Sequence, residues 1–116
     1  MTVTRRTLPY TKQLVLLALY DVLEQEQSDY RKDESNGNII TRINVYGNKS
    51  EFTVSITEQS PATDLTVAVT SPCEGLSEQG KQRAVDFLAD RIEQLLENEL
   101  KINALLKAKK EGTDHE

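Results

Sequence analysis

Residues 39–70 read IITRINVYGNKSEFTVSITEQSPATDLTVAVT, and this stretch decides the fold. Three segments inside it, IITRINVY, EFTVSIT and LTVAVT, are apolar at every second position and bounded by turn residues. Side chains along a strand point alternately to opposite faces. Ile39, Ile43 and Val45, then Phe52, Val54 and Ile56, then Leu65, Val67 and Val69 therefore line one face that has to be buried. The opposite face is mostly Thr, Ser, Arg and Asn. Gly47 and Asn48 separate the first two segments and suit a type II′ hairpin, with Gly where positive φ is needed. Ser60, Pro61 and Ala62 mark the next reversal. The pattern predicts an antiparallel meander of three strands that requires a helical cover.

The cover is written on both sides of the meander. After Pro9 and Thr11, a suitable N-cap, KQLVLLALYDVLEQ has strong helix formers and no Gly or Pro, which predicts a helix from Lys12 to Gln25. At 100° per residue Val15, Leu16, Ala18, Leu19, Val22 and Leu23 share one arc, assigned here to the sheet. Leu14, Leu17 and Tyr20 fall outside it. They need a second cover, either the other helix of the chain or a partner subunit.

Downstream of Pro72-Cys73-Glu74-Gly75, Ser77 is placed to cap a long helix, although Gly80 stands where a capping box would have Glu or Gln. Ala84, Val85, Leu88, Ile92, Leu95 and Leu96 form its apolar stripe, and Asp86, Asp90, Glu93 and Glu97 gather on the other side as a solvated acidic face. Glu99 and Asn103 interrupt the stripe, so the helix leaves the sheet beyond about Asn98. Ile102, Leu105 and Leu106 make a smaller apolar cluster past that point. Residues 1–100 thus read as a single α+β domain, and 101–116 as a helix extension with a disordered acidic tail from Glu111. Thr2 to Leu8 reads as a short leading strand, and Gln27 to Asn38 as a mobile polar loop. The expected fold is (β)αβββα, an antiparallel sheet of three to four strands with two helices packed on one face.

Composition narrows the function classes. With 116 residues, 37% apolar and 28% charged, the chain has the make-up of one soluble globular domain. Its net charge of -5 and its lack of Trp argue against a nucleic-acid binder that neutralises phosphates or stacks bases. The basic spots at Arg5–Arg6 and at Lys107, Lys109 and Lys110 read as solvated surface. Cys73 is the single cysteine, which excludes an intrachain disulfide and points to a reducing, cytoplasmic location. The apolar run from Leu14 to Tyr20 is too short to span a membrane, and no membrane partner is expected.

Chemistry finds little to work with. The one histidine, His115, lies next to the end of the chain, so a nucleophile has no base within the domain. Asp86, Asp90, Glu93 and Glu97 could ligate a hard cation only if desolvated, and the pattern places them in water. The loop from Asp33 fails as a calcium loop, with Gly37 fifth rather than sixth and Asn44 in the place of the bidentate Glu. No P-loop and no dinucleotide fingerprint occur. No catalytic residue, no metal and no cofactor are expected, and Cys73 alone merits watching for reactivity.

The element order, with TLPYTKQLVLLALYDVL at the front and ITEQSPATDLTVAVTSP leading into LSEQGKQRAVDFLADRIEQLL at the back, resembles small bacterial domains of helix-grip (Bet v 1/START-like) or TATA-box-binding-protein-like topology. The helix-grip resemblance implies a small apolar, lipid-like ligand held between sheet and helix. The second implies topology alone. The resulting expectation is a non-enzymatic bacterial homodimer acting through protein association, with Leu14, Leu17, Tyr20, Ile102, Leu105 and Leu106 as interface candidates. A small apolar-ligand binder is the alternative.

Overall fold

The computed structural model describes the backbone of residues 2–45, 47–71 and 74–114, and the side chains of these except Asn48 and residues 99–114. Seven elements follow one another: β1 (Val3–Leu8), α1 (Lys12–Gln25), β2 (Asp29–Lys32), β3 (Ile39–Val45), β4 (Asn48–Gln59), β5 (Ala62–Ser71) and α2 (Glu78–Asp114). The strands form one antiparallel sheet in the order β1-β5-β4-β3-β2. The fold is α+β, with both helices on the same face of the sheet. α2 lies over β1 and β5, and α1 lies over β5 and β4.

The alternation in the meander places its residues as expected. Ile39, Ile43, Val45, Phe52, Val54, Leu65, Val67 and Val69 are buried, and Ile56 is partly buried against the same core. Val15, Ala18, Leu19, Val22 and Leu23 meet them from α1, and Ala84, Val85, Leu88, Ala89, Ile92 and Leu96 from α2. Each large side chain fully withdrawn from water here contributes about 1.5–3 kcal/mol before chain entropy is counted. The buried Thr63 hydroxyl donates to the Tyr10 carbonyl at 2.6 Å, fastening the entry of α1 to β5.

Three local features differ from expectation. Asp29–Lys32, inside the expected loop, is a strand that pairs Asp29 with Arg42 and Lys32 with Ile39, so the sheet has five strands. Its residues DYRK are all exposed and show no apolar alternation. What holds them is the β3 ladder and the buried Thr41 hydroxyl, which donates to the Asp29 carbonyl at 2.9 Å. At the first hairpin Val45 pairs with Asn48, so Gly47 takes the second loop position rather than the first, with φ +82°. Tyr46 lies outside the described residues. Finally, Phe52 pairs with Val69 while Glu51 pairs with Ser71, which leaves Thr70 as the extra residue of a β-bulge.

Caps end the helices as the residue types dictate. The Thr11 hydroxyl accepts from the Leu14 amide at 3.3 Å, and the Ser77 hydroxyl from the Gly80 amide at 3.0 Å. Leu96 is the last residue of α2 in the described core, yet the helix runs on to Asp114. At 1.5 Å per residue that further stretch spans about 27 Å, in keeping with a molecule 62 Å long and 30 × 23 Å across.

Candidate functional site

The acidic side of α2 is an ion-pair cluster rather than a freely solvated face. In β1, Arg6 shares its side of the sheet with Thr4 and Leu8 and sits opposite Leu65, so it points under α2. Its Nη1 lies 2.6 Å from Asp90 Oδ1 and 2.9 Å from Glu93 Oε1, and its Nη2 lies 3.6 Å from Asp86 Oδ1. Partial burial works against the guanidinium charge. The hydrogen bonds to Asp90 and Glu93 outweigh it and raise the Arg6 pKa above its ordinary value. Arg6 was expected on the surface beside Arg5, and its alternation with Leu8 is the signal that would have placed it inward.

A second tie joins the helices, where Arg91 Nη2 donates to Gln25 Oε1 at 2.6 Å and its Nε lies 3.8 Å from Glu26. Both clusters fasten elements together. Among the described residues no group of three or more His, Cys, Asp or Glu stands where it could hold a metal ion.

The interface candidates divide into three groups. Leu14 and Leu17 are 39% and 55% exposed, so α2 does not provide the second cover for them. Tyr20 is half-buried. It packs against the core, and its ring centroid lies 5.5 Å from that of Tyr30 on β2. Ile102, Leu105 and Leu106 fall on the part of α2 whose side chains lie outside the described residues, and Cys73 and His115 lie outside the described residues altogether.

The face of the sheet away from the helices is open. One row crosses all five strands, Val3–Ala68–Thr53–Ile40–Arg31, and Thr66 and Ser55 stand beside it. Thr7 donates to Asp64 at 2.9 Å, and Arg42 lies 3.7 Å from Glu51, so much of its polarity is satisfied within the sheet. The Asp33 carboxylate accepts from the Ser35 hydroxyl at 2.6 Å and the Ser35 amide at 2.9 Å, closing a turn instead of facing a cation site. Those two bonds hold its pKa below the usual aspartate value.

No protein-family model and no curated protein matches this chain. Among the described residues no helix is long and apolar enough to cross a membrane.

Proposed function

We propose that the protein is a non-enzymatic association domain that acts as a homodimer, two copies meeting over Leu14 and Leu17 of α1 and the far half of α2. The exposed leucine ridge carries this reading. Leu17, at 55% exposed, stands on the opposite side of α1 from the fully buried Leu19 and Val22, with Leu14, at 39% exposed, beside it. A continuation of α2 past its last described core residue supports it. An isolated helix of that length is marginal in water, and the sequence repeats Ile102, Leu105 and Leu106 at the spacing of a contact stripe.

The sheet edges favour a face-to-face dimer over an extended sheet. Self-pairing of β1 in the registers that use most of the strand sets Arg5 opposite Arg5, or Arg6 opposite Arg6. The β2 edge is short and carries Asp29, Arg31 and Lys32. Sedimentation should give twice the 13.1 kDa chain mass for the wild type and the single chain mass for a folded Leu14→Glu/Leu17→Glu variant. A wild type that stays monomeric at the highest attainable concentration overturns the proposal.

A further inference from the structure

α1 does not extend over the whole inner face of the sheet, and beside it runs a groove of about 340 Å³. One wall is the stripe Lys12–Leu16–Tyr20, three residues spaced four apart and hence on one side of the helix. The other wall is Lys32, at the end of β2, with the loop that follows it. Ile39, Val54 and Ile56 form the floor. Eight residues of helix separate the two ends of the first wall, which makes the groove about 12 Å long.

The loop wall is built before any ligand arrives. The Asp33 amide donates to the Asn38 carbonyl at 2.8 Å and the Gly37 amide to the Asp33 carbonyl at 2.7 Å, while Asn36 Oδ1 accepts from the Asn38 amide at 2.9 Å. Gly37 holds φ +76°, a conformation that favours glycine. Lys12 and Lys32 are both exposed, and their ammonium groups have no ion-pair or hydrogen-bond partner among the described residues. Glu58 is the one carboxylate in the lining, so the groove carries a net positive charge on a chain whose total is -5.

An apolar floor of limited length between two free ammonium groups selects a particular chemistry. We propose that this groove binds a small amphipathic carboxylate, its compact apolar body on the half-buried Leu16, Tyr20 and Ile56 and its anionic head at the mouth flanked by Lys12 and Lys32. Charge complementarity excludes a cationic amphiphile from the same place, and the length excludes a long acyl chain. The site is separate from the leucine ridge, since Leu14 and Leu17 point to a different sector of α1.

The test titrates the intact protein with 3-phenylpropionate and with octanoate, followed by amide shifts of Leu16, Lys32, Gly37 and Ile56. 3-Phenylpropanol, octanol and octylamine serve as matched controls. Saturable one-to-one binding of at least one carboxylate is expected, with the corresponding alcohol weaker by about tenfold or more and the amine not binding. The arm that binds more tightly identifies an aryl or an alkyl body. Lys12→Gln/Lys32→Gln changes two exposed side chains and leaves the fold intact; it should lower carboxylate affinity about tenfold, and Lys→Arg at both positions should restore most of it. Absence of saturation with both carboxylates, equal binding of carboxylate and amine, or an unchanged affinity in the double Gln variant overturns the proposal.

Discussion

Arg6 on the first strand and Asp90 on the last helix, 84 positions apart in the chain, meet with Nη1 2.6 Å from Oδ1. β1 is an edge strand, hydrogen-bonded on one side to β5, and a purely apolar side chain at that inner position would sit half in water. Arginine resolves the conflict. Its stem covers the margin of the core while its head reaches the carboxylates of Asp86, Asp90 and Glu93 on α2. An inward-pointing charge also discourages another strand from adding to this edge.

Arg6→Met keeps much of the apolar stem and removes the guanidinium, leaving three carboxylates near one another without their cation. Asp90 is two-thirds exposed, so solvent screening limits the loss to about 1 kcal/mol. Urea denaturation should show that decrease at low salt, and the gap between variant and wild type should narrow at about 1 M salt, where the Debye length falls to about 3 Å. Equal midpoints at low salt would show that the cluster contributes nothing to folding.

The elements governed by periodicity were legible in the sequence, and those governed by tertiary contact were not. Period-two alternation in the meander and the helical arcs of Leu19 and Leu88 report burial directly, so the core could be written from composition and spacing. β2 escaped because Asp29–Lys32 has no buried face of its own; its pairing depends on β3 and on Thr41, residues it meets only in the fold. The hairpin was displaced by one residue because Gly47 suits either central loop position, and the pairing of Val45 with Asn48 decides between them. Arg6 and the acidic stripe were each visible, but their meeting needs the crossing of α2 over β1. Lys12 and Lys32 likewise come to one groove only once β2 exists.

The end of α1 holds a residue in an unfavourable conformation. Gln27 has φ +52°, with its amide bonded to the Glu24 carbonyl and the Ser28 amide to the Leu23 carbonyl, each at 3.0 Å. These are the paired bonds of a Schellman motif, whose left-handed position most often belongs to glycine. Gln27 is exposed, so its side chain contributes little packing. Gln27→Gly should therefore stabilise the protein by about 0.5–1 kcal/mol, net of the greater entropy glycine brings to the unfolded chain, and raise Tm by about 2–5 °C. Calorimetry that finds a lower Tm would mean that Gln27 makes a contribution beyond its backbone.

Acid should loosen the loop after β2 in a specific pH window. The Asp33 carboxylate is held below its ordinary value first by the Ser35 hydroxyl and next by the Ser35 amide, so the ionised form is the one the folded turn favours. A carboxylate whose folded pKa is depressed contributes stability above its unfolded pKa of about 3.9 and loses that contribution as pH falls through the lower folded value. The turn is thus expected to be intact at neutral and mildly acidic pH and to open only below the usual aspartate range. Amide shifts of Ser35 and Gly37, followed from pH 6 downward, should move together in that low window, and Asp33→Ala should abolish the transition while removing the turn at every pH. Because Asn36, Gly37 and Asn38 line the groove, the same acid transition should displace one wall of the carboxylate site. Loop shifts that follow one course in wild type and Asp33→Ala would show that some other group orders the turn.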